Sequence, residues 1–164
     1  MSRLFAIALT AIVAASTAVS TPTWAGDYKL GALTIRQPWS RPAQAGMNGV
    51  GFFTVVNAGK TPVTLTRAET PAADKVEIHQ SSTANGVMSM RRQDNGVTIP
   101  AGGQVAFAPG GYHLMLLSLK SAQAQGQNVP VTLVFNNGLK LQIDLAVQLT
   151  PPSGQAAPMA DHHH

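Results

Sequence analysis

Residues 129–147 read VPVTLVFNNGLKLQIDLAV. Two runs of aliphatic and β-branched residues flank an Asn-Gly pair, the strongest short-range hairpin signal a sequence can carry. Working outward, short apolar runs recur between Gly, Pro and Asn punctuation. They predict strands near 31–37, 50–57, 62–69, 75–80, 86–91, 96–99, 104–108, 112–119, 130–136 and 139–147. Many are β-branched or aromatic, as in VGFFTVV (50–56), and turn signals separate them at regular spacing. That pattern predicts an all-β sandwich or barrel. Asn-Gly-Val at 85–87 and again at 95–97 is expected to open two further strands, and no segment predicts a helix of any length.

The flanks differ in composition. MSRLFAIALTAIVAASTAVSTPTWA (1–25) has a basic start at Arg3, an apolar run and then small residues around Trp24. It reads as a secretory signal peptide cut after Ala25, or as a retained N-terminal anchor; the apolar run is short for a spanning helix. Residues 26–149 make one domain with its own core. Residues 150–164, TPPSGQAAPMADHHH, are rich in Pro and Ala and are expected to be a flexible tail. The chain has no cysteine, so an exported domain here holds together by packing alone. The formal charge is +4, or +3 without Arg3, and charged residues are 11% of the chain. Apart from Arg91 and Arg92 the basic residues are scattered, which excludes a nucleic-acid stripe. No later segment is apolar enough to make an integral membrane protein. Nor does any His-Glu-x-x-His, Gly-x-Ser-x-Gly or paired-carboxylate pattern point to an enzyme.

Outside the flanks the chain has two histidines, His79 and His113, and four methionines, Met47, Met88, Met90 and Met115. Strand alternation puts Val76 and Ile78 on the core side and Glu77 and His79 on the other. His113 shares a face with Met115, and Met88 with Met90. The plain reading makes the methionines core filler and the histidines incidental. The sharper reading gathers imidazole and thioether into one site. Those soft and borderline donors suit Cu(I); calcium and magnesium demand oxygen, and this is an odd set for zinc. Met88 reads as cover or a spare sulfur beside Met90, and Met47 as a shield from a Gly-rich loop. Met159, Asp161, His162, His163 and His164 suit a harder Cu(II) site, and equally read as the stub of an affinity tag.

The block VEIHQSSTANGVMSMRRQDNGVTIPAGGQVAFAPGGYHLMLLSL (76–119) resembles the periplasmic copper chaperone family called PCu(A)C. His79, Met90, His113 and Met115 fall on that family's His, Met, His-x-Met signature. QPWSRPAQAGMNGVGFFTVVNAG (37–59) is similar to its upstream segment, so the likeness runs from about 30 to 148. The resemblance implies a cupredoxin-like Greek-key β-sandwich and a periplasmic Cu(I) metallochaperone with those four ligands; a monomer is expected. It also implies a partner: a copper-accepting cytochrome oxidase subunit (CuA or CuB) or a thiol-bearing copper chaperone. A blue-copper electron carrier is excluded, because its site needs a cysteine thiolate. The alternative from another class is an exported β-sandwich interaction module with no metal role.

Overall fold

The computed structural model describes residues 26–153 and 155. The predicted leader and Met159, Asp161, His162, His163 and His164 lie outside them. Among the described residues the chain is all β, with no helix long and apolar enough to cross a membrane. Eleven strands follow in order: β1 Tyr28–Leu30, β2 Leu33–Ser40, β3 Gly49–Asn57, β4 Val63–Glu69, β5 Ala73–Ala84 and β6 Val87–Arg92. After these come β7 Val97–Ile99, β8 Gln104–Phe107, β9 Tyr112–Leu119, β10 Asn128–Phe135 and β11 Lys140–Val147. Ten of these match the predicted positions. The exception, β1, is three residues long, and only its pairing with β2 makes it a strand.

The strands pair in the order β6-β5-β9-β8-β3-β2-β11-β10-β4-β7, with β9 also pairing with β3. Most pairs are antiparallel; β11–β2 and β8–β9 run parallel. The path folds over on itself as a cupredoxin-like sandwich, so that β4 and β5, near opposite ends of that order, lie against each other. A Cβ added at Gly51 on β3 would lie 2.9 Å from Leu145 on β11, two strands away, and 3.3 Å from Leu114, its ladder partner on β9. The core takes alternate residues from both layers: Ile35, Phe53, Val55, Leu65, Leu114, Leu116, Leu133, Ile143 and Leu145 are all fully buried. Phe53 stacks on Phe107 with ring centroids 4.6 Å apart. Each such aliphatic or aromatic side chain removed from water contributes roughly 1.5–3 kcal/mol.

Two Asn-Gly hairpins differ in geometry. At Asn85-Gly86 both residues have positive φ, 53° and 74°, the type I′ turn that joins β5 and β6 through two residues, with Ala84 opposite Val87. At the second, only Gly138 is left-handed (φ 81°). Gly138 N–H donates to the Phe135 carbonyl at 3.0 Å and Phe135 N–H to the Leu139 carbonyl at 2.9 Å, closing a three-residue loop. The predicted hairpin forms, but through the longer turn.

Trp39 and Phe52 form a second apolar patch outside the main core. A bulge in β2 (Arg36 opposite Thr54, then Trp39 opposite Phe52) brings the two rings to 4.8 Å. Trp39 Nε1–H donates to Gln155 Oε1 at 2.6 Å, and Gln37 Nε2–H to the Ser153 carbonyl at 3.0 Å. The predicted tail therefore begins attached to the sandwich, with Pro152 and Gln155 buried.

Candidate metal centre

Three strands build the site. β5 and β9 pair so that His79 stands directly opposite His113, and Glu77 opposite Met115. The β5–β6 hairpin puts Met90 opposite Ser81, and Arg92 opposite His79. Directly paired residues in an antiparallel ladder share a face, so His79, Met90, His113 and Met115 all stand on the outer side of this part of the sheet. Their convergence comes from strand register.

The side chains of His79, His113 and Met90 approach one another as that register dictates, with Met115 placed beside them by the ladder. The imidazole rings of His79 and His113 are 5.8 Å apart at 73°. His79 Nδ1 lies 3.2 Å from Met90 Sδ, near enough for one ion to span both. The other ring nitrogen, His79 Nε2, is 2.9 Å from Glu77 Oε2. His113 Nδ1 is 3.1 Å from the Gly111 carbonyl, and its ring lies 6.4 Å from Phe52. Among the described residues, no three His, Asp or Glu side chains are placed to share a metal ion.

The histidines are not on an open rim, as the alternation of β5 alone implied. His113 is 5% exposed and the His79 side chain 14%, whereas Met90 on the edge strand is 51% exposed. Phe52 covers the His113 side, and the Arg41 guanidinium lies 5.8 Å and 5.7 Å above the Trp39 and Phe52 rings. Burial pushes the His113 imidazole below its ordinary value, aided by the nearby His79 and opposed by the Gly111 hydrogen bond. A recessed ring is thus kept neutral, the form a metal requires. Glu77 is held at about 2, well below the usual carboxylate range, first by Lys75 and then by His79 and Arg92. Its Oε1 accepts from Lys75 Nζ at 2.6 Å and Arg92 Nη1 at 3.0 Å.

Met88 and Met47 separate. Met88 pairs with Thr83 toward the hairpin tip, 70% exposed. The Met47 carbonyl accepts from Leu119 N–H, four residues past Met115 along β9, so about 13 Å of strand lies between. Glu77, Arg92, Phe52 and Arg41 did not stand out in the sequence as part of a site. For Glu77 and its partner Lys75 a signal existed, since period two puts both on the face of His79; Arg92 needed the fold.

Comparison with known proteins agrees with this architecture. The profile of the family described as "Putative lipoprotein LpqE-like" matches residues 33–147. A curated relative, "Putative lipoprotein Lxx21020" of Leifsonia xyli subsp. xyli, is 36% identical over 63% of this chain; the match spans 62% of that protein, under two thirds of its length. Among solved structures, the copper-bound PCuAC domain from PmoF2 superposes with a TM-score of 0.63 at 25% identity, covering 76% of this chain and 98% of that one. The solution structure of CuI-DR1885 from Deinococcus radiodurans gives a TM-score of 0.55 at 25% identity, covering 70% and 78%. On its sequence profile and its fold, the chain belongs to the LpqE-like, PCuAC-type family.

Proposed function

We propose that this protein is an exported, periplasmic Cu(I) carrier, not an enzyme, which holds its ion with His79, Met90, His113 and Met115. It surrenders the ion to cytochrome oxidase assembly, at the CuA or CuB subunit or through a thiol-bearing chaperone. The observation that supports it most is the 3.2 Å approach of Met90 Sδ to His79 Nδ1 on a face where His113 stands opposite His79 in register. The copper-bound neighbours of the same fold add to it.

The donor set explains how such a site would work. Thioethers are neutral and bind without losing a proton, and two neutral imidazoles complete a soft set suited to Cu(I). With no thiolate, the site has nothing to oxidise to a disulfide. Exposure sets an order for release. Met90 lies half exposed on edge strand β6, so an acceptor's donor displaces it first; His113, recessed beneath Phe52, lets go last. His162, His163 and His164 remain a candidate Cu(II) site on donor chemistry alone.

A Cu(I) titration under anaerobic conditions against a competing chromophoric chelator tests the assignment. His113→Ala and Met115→Ala are each expected to bind more than about 100-fold more weakly than wild type, since losing even an outer partner of a ligand costs about 10–100-fold. Equal affinities in all three proteins would leave the sandwich with no metal role.

A further inference from the structure

His79 and His113 look alike as ligands, but the structure anchors them by opposite nitrogens. His79 Nε2 meets the Glu77 carboxylate at 2.9 Å, leaving Nδ1 toward Met90. His113 Nδ1 meets the Gly111 carbonyl at 3.1 Å, leaving Nε2 as its free donor. A carbonyl and an ionised carboxylate only accept hydrogen bonds, and a neutral imidazole has a single N–H. Each contact therefore specifies which nitrogen carries the proton and which keeps a lone pair.

We infer that Glu77 is a positioning residue for the copper site: it holds His79 as the Nε2–H tautomer with Nδ1 aimed at the metal, while the Gly111 carbonyl holds His113 in the opposite tautomer. Glu77 is itself braced for this task. Its Oε1 is engaged by Lys75 and by Arg92, the cross-strand neighbour of His79, so Oε2 is left facing the imidazole. The Glu77 side chain is only 14% exposed, which limits competition from water. The two anchors differ in kind. The Gly111 carbonyl is backbone, fixed by the turn that starts β9, and no substitution removes it. The Glu77 carboxylate is a side chain, so His79 is the ligand whose aim a single mutation can loosen. The Nδ1–Sδ contact with Met90 fits the assignment, because a thioether offers no proton and the two lone-pair donors are free for one ion. Carboxylates that orient metal-binding histidines typically matter by about 10–100-fold in affinity.

This inference rests on the carrier reading above, and its test separates the two. Long-range 1H–15N spectra of the metal-free, 15N-labelled protein at pH 8 report each ring directly. The expected pattern is Nε2–H for His79 and Nδ1–H for His113; the same tautomer on both rings, or Nδ1–H on His79, would overturn it. Cu(I) titrations of Glu77→Ala and Glu77→Gln complete the test. The amide oxygen of Gln still accepts from Nε2–H, so Glu77→Gln is expected to keep the His79 pattern and lose less than about tenfold, and Glu77→Ala about 10–100-fold. An unchanged affinity in Glu77→Ala refutes the positioning role. A wild-type protein with the expected tautomers but no Cu(I) affinity would sink the carrier reading and leave the anchoring intact.

Discussion

The β10–β11 and β5–β6 hairpins both turn on Asn-Gly, yet they do opposite work. In β10, Val129, Val131, Leu133, Val134 and Phe135 are buried, and β11 sends Ile143, Leu145 and Val147 into the same core. Every residue of β6 is exposed. One hairpin is folded by what it buries. The other is held by its turn and its ladder to β5, and it carries Met90 to the solvent side of the site. A strand with no apolar duty is free to present a labile ligand, because little folding energy depends on which side chain stands there.

The largest effect should come from the core hairpin. Leu133→Ala removes a fully buried side chain and is expected to cost about 2–5 kcal/mol in urea denaturation. Cu(I) affinity of the folded protein should stay unchanged. Met90→Ala should do the reverse: stability within about 0.5 kcal/mol of wild type, but Cu(I) affinity down by more than about tenfold in the same chelator competition. If Met90→Ala destabilised the fold as Leu133→Ala does, the contrast between the hairpins would fail.

The turns offer a sharper comparison. Nothing lies within 4 Å of a Cβ added at Gly86 or Gly138, so Ala at either meets only the strain of positive φ. Each substitution should cost about 1–2 kcal/mol by denaturation. Only Gly86→Ala should also weaken copper binding, because only that turn carries Met90 back beside His79. Equal copper affinity in both variants would mean that the β5–β6 turn has no part in placing the ligand.

The smallest effect concerns pH. Glu77 is depressed from 4.5 to about 2 in the fold, so its contribution is complete above pH 4.5 and is lost as pH falls toward 2. Its partners Lys75 and Arg92 are well exposed, which keeps that contribution under about 1 kcal/mol. Metal-free Glu77→Gln should therefore be slightly less stable than wild type in urea at pH 6, with the gap narrowing between pH 4.5 and 2. A gap that widened on acidification would contradict the ion pairs drawn around Glu77.

Much of this molecule was legible before folding. Turn residues and β-branched runs marked ten of the strands, and the lack of cysteine ruled out a thiolate-bound copper site. Alternation put Glu77 with His79 and His113 with Met115, because successive side chains in a strand point to opposite faces wherever the strand lies. The chain order could not reveal that His79 stands opposite His113, that Arg92 braces Glu77, or that Phe52, backed by the bulged Trp39, lies beside His113. Nor did it show that the imidazoles are recessed while Met90 is open. Those depend on register and layering, which come from hydrogen bonds and packing between segments dozens of residues apart. The local pattern determined which way each donor faces. Only the tertiary structure decided which donors meet, and how deeply each is set.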